Sequence, residues 1–386
     1  MTIRVEAIQV KDLISFAEDV LSKAGPGDFI PITMQRAEAQ ANNPYAAPED
    51  AALLVAYSGE ELVGYFGILP IMLQHGNEHS KVHWFTTWMV NPKLRGAGVG
   101  SALMQAALDL DKDFMIVGSK PARRVCRKFG FFDFDPLEYA VVDFRIAGRY
   151  NLFSILLRAA RKLLRLVGLK LNIDRLNKWL QGFFETLFGF LGKPFAYSLV
   201  KGAAKRLPPE IDIRQAGQIK PLPGKQSNAV KFRRSEEVVN WMLAYPWVLQ
   251  PGESTTEAMD FYFTDTRPDF QYLAYELYAG EDYQGYLTFQ LSKITGQRVL
   301  KVLDHSLLDE ELLLSIALDE ARKQRVALLE IAKQPAKSLR QSVIGRSLVQ
   351  IKQRIYQGQA RSESSPLGKH WREIELDYVD GDTPFT

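Results

Sequence analysis

Residues 91–100 read NPKLRGAGVG, and the stretch from Arg95 to Gly100 sets glycines at 96, 98 and 100 behind an arginine. Glycines at that spacing let backbone N–H groups turn toward one centre with no Cβ in the way. A helix beginning directly after them adds the partial positive charge of its N-terminus. Arg95 adds a fork of donors suited to phosphate oxygens. The chemistry such a loop can do is anion binding, and a pyrophosphate is its natural ligand. Two glycine loops of other kinds do not match. The dinucleotide fingerprint needs G-x-G-x-x-G, and the nucleoside-triphosphate loop needs Gly-Lys-Ser/Thr, whereas Gly100 runs straight into Ser101. A tight strand-to-helix turn is the purely structural alternative.

The elements that must position this loop follow from the flanking pattern. IRVEAIQ (3–9) reads as a strand and KDLISFAEDVLSKAG (11–25) as a helix stopped by its last glycine. AALLVAYSGEELVGYFGILPIML (51–73) reads as a hairpin turning at Ser58, Gly59 and Glu60, and KVHWFTTWMV (81–90) as the strand that feeds the loop. After it come a helix (101–113), a short buried strand FMIVG (114–118), a short helix PARRVCRKF (121–129) and a last strand LEYAVVDFRI (137–146). This order predicts an α/β fold with a mixed, mostly antiparallel sheet flanked by helices.

Bulk properties narrow the function classes. The chain has 386 residues, enough for two domains. Its 48 basic and 45 acidic residues leave a net charge of +3, too balanced to point to nucleic acid. Cys126 is the only cysteine, which excludes an intramolecular disulfide and a multi-cysteine metal site; no metal is expected. The first residues lack the pattern of a secretory signal, and no stretch reaches the ~18 to 20 apolar residues of a membrane span. A cytoplasmic protein is expected.

R-G-x-G-x-G after V-x-P resembles the pyrophosphate loop of the GNAT superfamily of N-acyltransferases. A second motif supports the resemblance: Ser119 stands where that family usually has Asn, followed by Ala122, Val125, Cys126 and Gly130-Phe131 at the family's spacings. The resemblance spans residues 1 to about 146. It implies an acyl-CoA co-substrate, acetyl-CoA or another acyl-CoA, and an amine acceptor on a small molecule or sugar. By resemblance, Trp88, Met89 and Val90 would hold the pantetheine arm and polarise the thioester. Arg95, Gly96, Ala97, Gly98, Val99, Gly100 and Ser101 would cradle the pyrophosphate, with Ser119 beside them.

Catalytic candidates follow from the same resemblance. The family's usual acid, a tyrosine, is replaced by Cys126, a weaker donor that also reads as a small apolar filler. Glu78 and His83 are the candidate bases. A period of two places His83 on one strand face with Phe85, Thr87 and Met89. Each also has an ordinary reading, as a solvated hairpin acid and as a packed histidine. The rival to an N-acetyltransferase is a non-catalytic CoA-binding or interaction protein.

The chain also resembles itself. Tyr57, Gly59, Glu60, Gly64 and Tyr65 recur as Tyr278, Gly280, Glu281, Gly285 and Tyr286, a constant offset of 221. KPARRV (120–125) is echoed by QPAKSL (334–339), and at that offset the glycine loop falls on DEELLL (309–314). The expectation is a tandem protein: a GNAT domain at 1–146, a connector at 147–207, and a degenerate GNAT-like domain at 208–386 that, by the resemblance, would wall the acceptor site or stabilise the pair. Trp241, Asp304 and His305 are its candidates for facing the cleft. From Arg145 to Lys178 the chain carries nine basic residues and one acid, with Arg158, Arg161, Lys162 and Arg165 on one helical face and leucines opposite. Such a helix can lie on anionic lipid at the inner membrane surface or pack its leucines on the two domains.

Overall fold

In a computed structural model the described residues are 2–94, 96–145, 208, 210–221, 229–307, 309–341 and 348–385. The chain divides into two compact units. The first comprises Met1–Leu137, Gln215–Ala274 and Gln353–Thr386; the second comprises Glu138–Arg214 and Tyr275–Lys352.

The first unit is built on strands β1 (Ile3–Gln9), β2 (Ala51–Ser58), β3 (Glu61–His75), β4 (Glu78–Val90) and β5 (Phe114–Ile116), hydrogen-bonded in that order. β1 to β4 are antiparallel neighbours, and β5 runs parallel to β4. That change of sense requires a crossover, and helix α3 (Val99–Leu108) supplies it. Helices α1 (Leu13–Lys23) and α2 (Met34–Ala41) cover one face of the sheet with Leu13, Ala17, Ala37, Tyr65 and Met89. α3 covers the other, packing Val99, Leu103 and Met104 on Phe66, Phe85 and Phe114. Gly64 permits this approach: a Cβ there would lie 2.9 Å from Val99 and 3.1 Å from Leu103.

The boundaries expected from the sequence, 1–146 and 208–386, are corrected by the strand pairing. β7 (Leu137–Asp143) lies in the second unit's sheet, where it pairs antiparallel with β13 (Leu328–Ala332). Conversely, β15 (Gln357–Gln359) lies in the first sheet, between β5 and β6 (Phe132–Asp133). Gly358 is needed there because the Phe132 ring comes within 2.8 Å of where a Cβ would stand. β9 (Val230–Phe232) also joins the first sheet, on the part of β3 that outruns β2. Each sheet is therefore completed by strands distant in sequence.

The second unit repeats the motif on its own sheet. β11 (Asp282–Ile294) and β12 (Gln297–His305) are antiparallel, helix Glu310–Lys323 crosses over, and β13 returns parallel to β12. This is the β3, β4, α3, β5 order again, as the sequence repeat predicts. The connector expected at 147–207 lies outside the described residues. Among the described residues no helix is long and apolar enough to cross a membrane, and no group of three or more His, Cys, Asp or Glu could hold a metal ion.

One carboxylate ties the C-terminal segment to the start of β5. Asp113 is buried and accepts from Arg361 N at 2.9 Å, Ser365 Oγ at 2.7 Å and Leu367 N at 3.1 Å, while its own carbonyl accepts from His83 N at 2.9 Å. Replacing it with Ala strands three donors, two of them buried. Asp113→Ala is expected to cost about 3 kcal/mol or more in urea unfolding, well above the cost of an exposed control such as Glu18→Ala.

Candidate acyl-CoA site

Strand β4 does not stay straight. Phe66 pairs with Trp88 and Ile68 with Phe85, so Gly67 stands opposite two residues, Thr86 and Thr87. This is a β-bulge, and only glycine fits across from it: a Cβ on Gly67 would lie 2.3 Å from Thr86 Oγ1 and 2.7 Å from Thr87 Oγ1. The bulge resets the alternation of faces. Phe85 and Trp88 both pack against the Phe66 ring, at 4.2 and 4.9 Å between ring centroids, so both face α3. Met89 turns to the opposite face and packs with Tyr65. A face shared by His83, Phe85, Thr87 and Met89, expected from unbroken alternation, is corrected by the extra residue.

β5 pairs with β4 only from His83 to Phe85. The last five residues of β4 have no β5 residue opposite, and a wedge opens between them and the start of helix α4 (Lys120–Lys128). A cleft of about 590 Å³ fills it. Trp88, Val90 and Leu94 line one side, Ser119, Pro121, Ala122 and Val125 the other, and Gly96, Gly98, Val99, Gly100 and Ser101 the end.

Loop geometry agrees with its residue types. Gly96 and Gly98 sit at φ 88° and 86°, in the left-handed region where a side chain is strained. The ladder of α3 begins with Ala102 N donating to Gly98 O at 3.0 Å, so the N–H groups just before it belong to the exposed helix start. Gly98 caps this helix without any side-chain hydrogen bond, and its first turn contains no acid. α4 starts beside the same cleft, capped by Ser119 Oγ, which accepts from Ala122 N at 3.4 Å. Two helix N-termini therefore meet here. In the second unit the matching helix is closed by its own acid: Asp309 accepts from Glu311 N at 2.8 Å and Leu312 N at 3.2 Å. That carboxylate takes the place an anion would need.

The cofactor residues expected from the sequence divide cleanly. Trp88, Val90, Gly96, Gly98, Val99, Gly100, Ser101 and Ser119 line the cleft. Met89 faces the other side of the sheet, and Ala97 is an exposed loop residue outside the lining. Arg95 lies outside the described residues. Leu94 and Pro121 also line the cleft, as do Ala122 and Val125 of the second motif, none of them expected as cofactor residues from the sequence; nor was the basic face of α4. The signal was present in KPARRVCRK, five basic residues in nine.

The three catalytic candidates are not gathered at the cleft. Cys126 is 0% exposed, in the core with Phe85, Phe114 and Phe131, and burial pushes its thiol up to about 12. His83 is 4% exposed, its ring 5.9 Å from that of Phe114, and burial pushes it down to about 4, so it is neutral at pH 7. Glu78 is exposed at the β3–β4 turn, ten residues before Trp88 and about 30 Å away along the strand. Of the second-copy candidates, Trp241 belongs to the first unit and donates from Nε1 to Ala39 O at 2.7 Å. Asp304 and His305 belong to the second, where Asp304 accepts from Tyr286 Oη at 2.7 Å and His305 Nδ1 lies 3.1 Å from Leu307 O.

Residues 20–131 match the sequence profile of the acetyltransferase (GNAT) family. No curated protein matches the chain. Similar solved structures include a GCN5-related N-acetyltransferase from Anabaena variabilis, 11% identical, covering 94% of this chain and 73% of that one with a TM-score of 0.49. A GCN5-related N-acetyltransferase from Kribbella flavida is 10% identical over 92% and 71%, with a TM-score of 0.44. A tandem GNAT protein from the clavulanic acid biosynthesis pathway is 13% identical over 94% and 100%, with a TM-score of 0.43. The stretch that folds into the wedge, its glycine loop and both helix starts lies within residues 20–131, the part of the chain that matches the acetyltransferase (GNAT) family profile.

Proposed function

We propose that the first unit is an acyl-CoA-dependent N-acyltransferase, with acetyl-CoA as donor and an amine on a small molecule or sugar as acceptor. The observation that carries this is the wedge itself: a cleft lined by Gly96, Gly98 and Gly100 of the loop and by Trp88 and Val90, which belong to the five residues of β4 with no β5 partner. Its donor set suits a pyrophosphate, since the helix start holds no acid and α4 adds basic residues beside it.

Acyl-CoA supplies an activated carbonyl with a good leaving thiolate. The peptide groups of Trp88 to Val90 serve as the free edge that holds the pantetheine arm by strand-like hydrogen bonds and aims the carbonyl. The neutral amine attacks that carbonyl; the C–N bond forms, the C–S bond breaks, the ammonium proton goes to solvent and the thiolate takes a proton from solvent. Cys126 and His83 are assigned packing rather than proton transfer. A thiol near 12 is too weak an acid to protonate a thiolate, and an imidazole near 4 is too weak a base to take the proton of an amine at neutral pH. The rival reading, a CoA-binding protein without chemistry, draws on the same placement of Cys126.

Acetyl-CoA at saturating concentration is expected to raise the melting temperature by several degrees. Thiol release across a panel of amines then separates enzyme from binder, since a binder shows the thermal shift and no turnover. Gly100→Ala provides a sharper test. A Cβ there meets Val90 and Trp88 at ordinary contact distances of 3.5 and 3.6 Å, so the fold accepts it, and helix propensity favours it by up to about 1 kcal/mol. The same methyl projects among cleft residues. The variant should melt no lower than the parent and bind acetyl-CoA about tenfold or more weakly by calorimetry. Unchanged affinity would remove the loop from the site.

His83 gives a pH prediction. Its folded pKa lies below the ordinary value of 6.5, so the unfolded chain binds the extra proton between about pH 6.5 and 4. Stability is therefore present above 6.5 and is lost as pH falls through that window, by roughly 3 kcal/mol for this group. His83→Gln should flatten that part of the stability profile in denaturant titrations. It should leave the pH dependence of turnover between 6 and 8 in place, whereas loss of a limb there would return the base role to His83.

A further inference from the structure

On the face of the first unit's sheet opposite the glycine loop, several buried polar atoms have no partner. Arg36, on α2, is 2% exposed, with its guanidinium between the rings of Trp247 at 4.7 Å and Phe261 at 5.1 Å. Nη2 donates to Thr264 O at 3.1 Å, while Nε and Nη1 have no hydrogen-bond partner. Thr33 Oγ1, at the start of the same helix, and Trp247 Nε1 have none either. The Tyr65 hydroxyl, beside the backbone of Tyr262, has no partner of normal geometry. The Tyr65 ring is 6.0 Å from that of Phe261, so it shares a neighbour with Arg36. Folded proteins pair nearly all such groups, and four side chains left open together require water, an ion or a ligand. The guanidinium is the costliest of them to leave unpaired. Burial pushes its pKa down to about 10, so it is charged at neutral pH.

The place of this group in the fold gives it meaning. Tyr65 pairs with Met89, which lies between Trp88 and Val90, the cleft-lining residues of β4. The group therefore stands at the level of the wedge, on the far side of the free strand edge. The surroundings also select the ligand. A single guanidinium, in the field of Asp265 and Asp382, matches one negative charge rather than a dianionic phosphate. The rings of Phe29, Phe261 and Phe263 around Tyr65 suit an apolar body.

Building on the acyltransferase reading above, we infer that the acceptor is an amine that also carries a carboxylate, and that Arg36 binds this carboxylate with help from the Tyr65 hydroxyl. The segment from Leu249 to Phe270 covers the group. It contains no helix or ladder, only the single bridges Phe29 to Asp260 and Leu249 to Thr266. Its backbone is held to the 27–30 stretch by three hydrogen bonds, Gly27 N to Ala258 O, Ile30 N to Asp260 O and Asp260 N to Asp28 O, and Tyr262 on it is 58% exposed. A long stretch of this kind over a polar cluster is suited to opening for a ligand.

The test uses matched probes on the full chain: glycine, β-alanine and phenylalanine, each against its carboxamide, which keeps the amine and removes the charge. The Nε–H resonance of Arg36 is followed by NMR without CoA, and thiol release from acetyl-CoA is measured with the same six compounds. At least one carboxylate should move the Arg36 resonance saturably and bind at least about tenfold more tightly than its amide. Arg36→Gln should lower that carboxylate to the level of the amide, and Tyr65→Phe should weaken it several-fold while keeping the fold. If no carboxylate moves the resonance up to about 50 mM, or if acid and amide bind equally, the inference is overturned. Its failure is distinguishable from that of the acyltransferase reading. The resonance titration needs no CoA, whereas absence of any acetyl-CoA thermal shift would remove the donor reading alone.

Discussion

The site depends on one irregularity, the bulge that sets Thr86 and Thr87 against Gly67. An uninterrupted β4 would keep Phe85, Thr87 and Met89 on one face and leave Trp88 on the other. The extra residue puts Trp88 and Val90 on the face of α3 instead, where they become a wall of the cleft. The pairing of β4 with β5 ends at Phe85, immediately before the bulge, so the strand edge is left free where a pantetheine arm would lie. Gly67 keeps the bulge possible and Gly64 brings α3 close enough to present its N-terminus to the same edge. Two glycines in β3, not the residues of the cleft, set its shape.

The second unit shows what the same chain order does without those conditions. Its helix Glu310–Lys323 crosses over between two parallel strands as α3 does, yet its first turn is filled by the carboxylate of Asp309 with Glu310 and Glu311 beside it. Gly285, the counterpart of Gly64, takes φ 138°, and a Cβ there would lie 2.3 Å from Ser306 Oγ, which accepts from Tyr286 N at 2.8 Å. The glycine is retained, but it makes room for a serine rather than for a helix. One repeat thus offers an anion a seat and the other occupies that seat with its own acid, a difference set by a few residues at a helix start.

Residue types made some of this readable in advance. Gly96 and Gly98 adopt backbone angles that other residues avoid, so their spacing in the sequence already described the turn. The hairpin, the crossover helix and the repeat at residues 278–286 were legible for the same reason: turn chemistry and periodicity are local. The exchange of β7 and β15 was not, because LEYAVVD and QGQ pair with strands nearly two hundred or more residues away in sequence, and nothing in their composition names a partner. The bulge was invisible because Thr-Thr continues a strand pattern as well as it interrupts one. Cys126 and His83 drew attention as the reactive residues near the motifs, but chemistry depends on exposure. Both side chains lie under aromatic rings, while Arg36, one of many arginines by residue type alone, carries the more demanding environment.

If the proposed function is right, this wedge, and not another part of the molecule, receives the acyl-CoA, and a crystal structure of the complex with CoA decides the matter. The pyrophosphate is expected within hydrogen-bond distance of backbone N–H groups between Gly96 and Ser101, with the pantetheine arm alongside Trp88 to Val90 and its sulfur at the free edge of β4. Pyrophosphate density elsewhere, with the glycine loop holding no part of the cofactor, would contradict it.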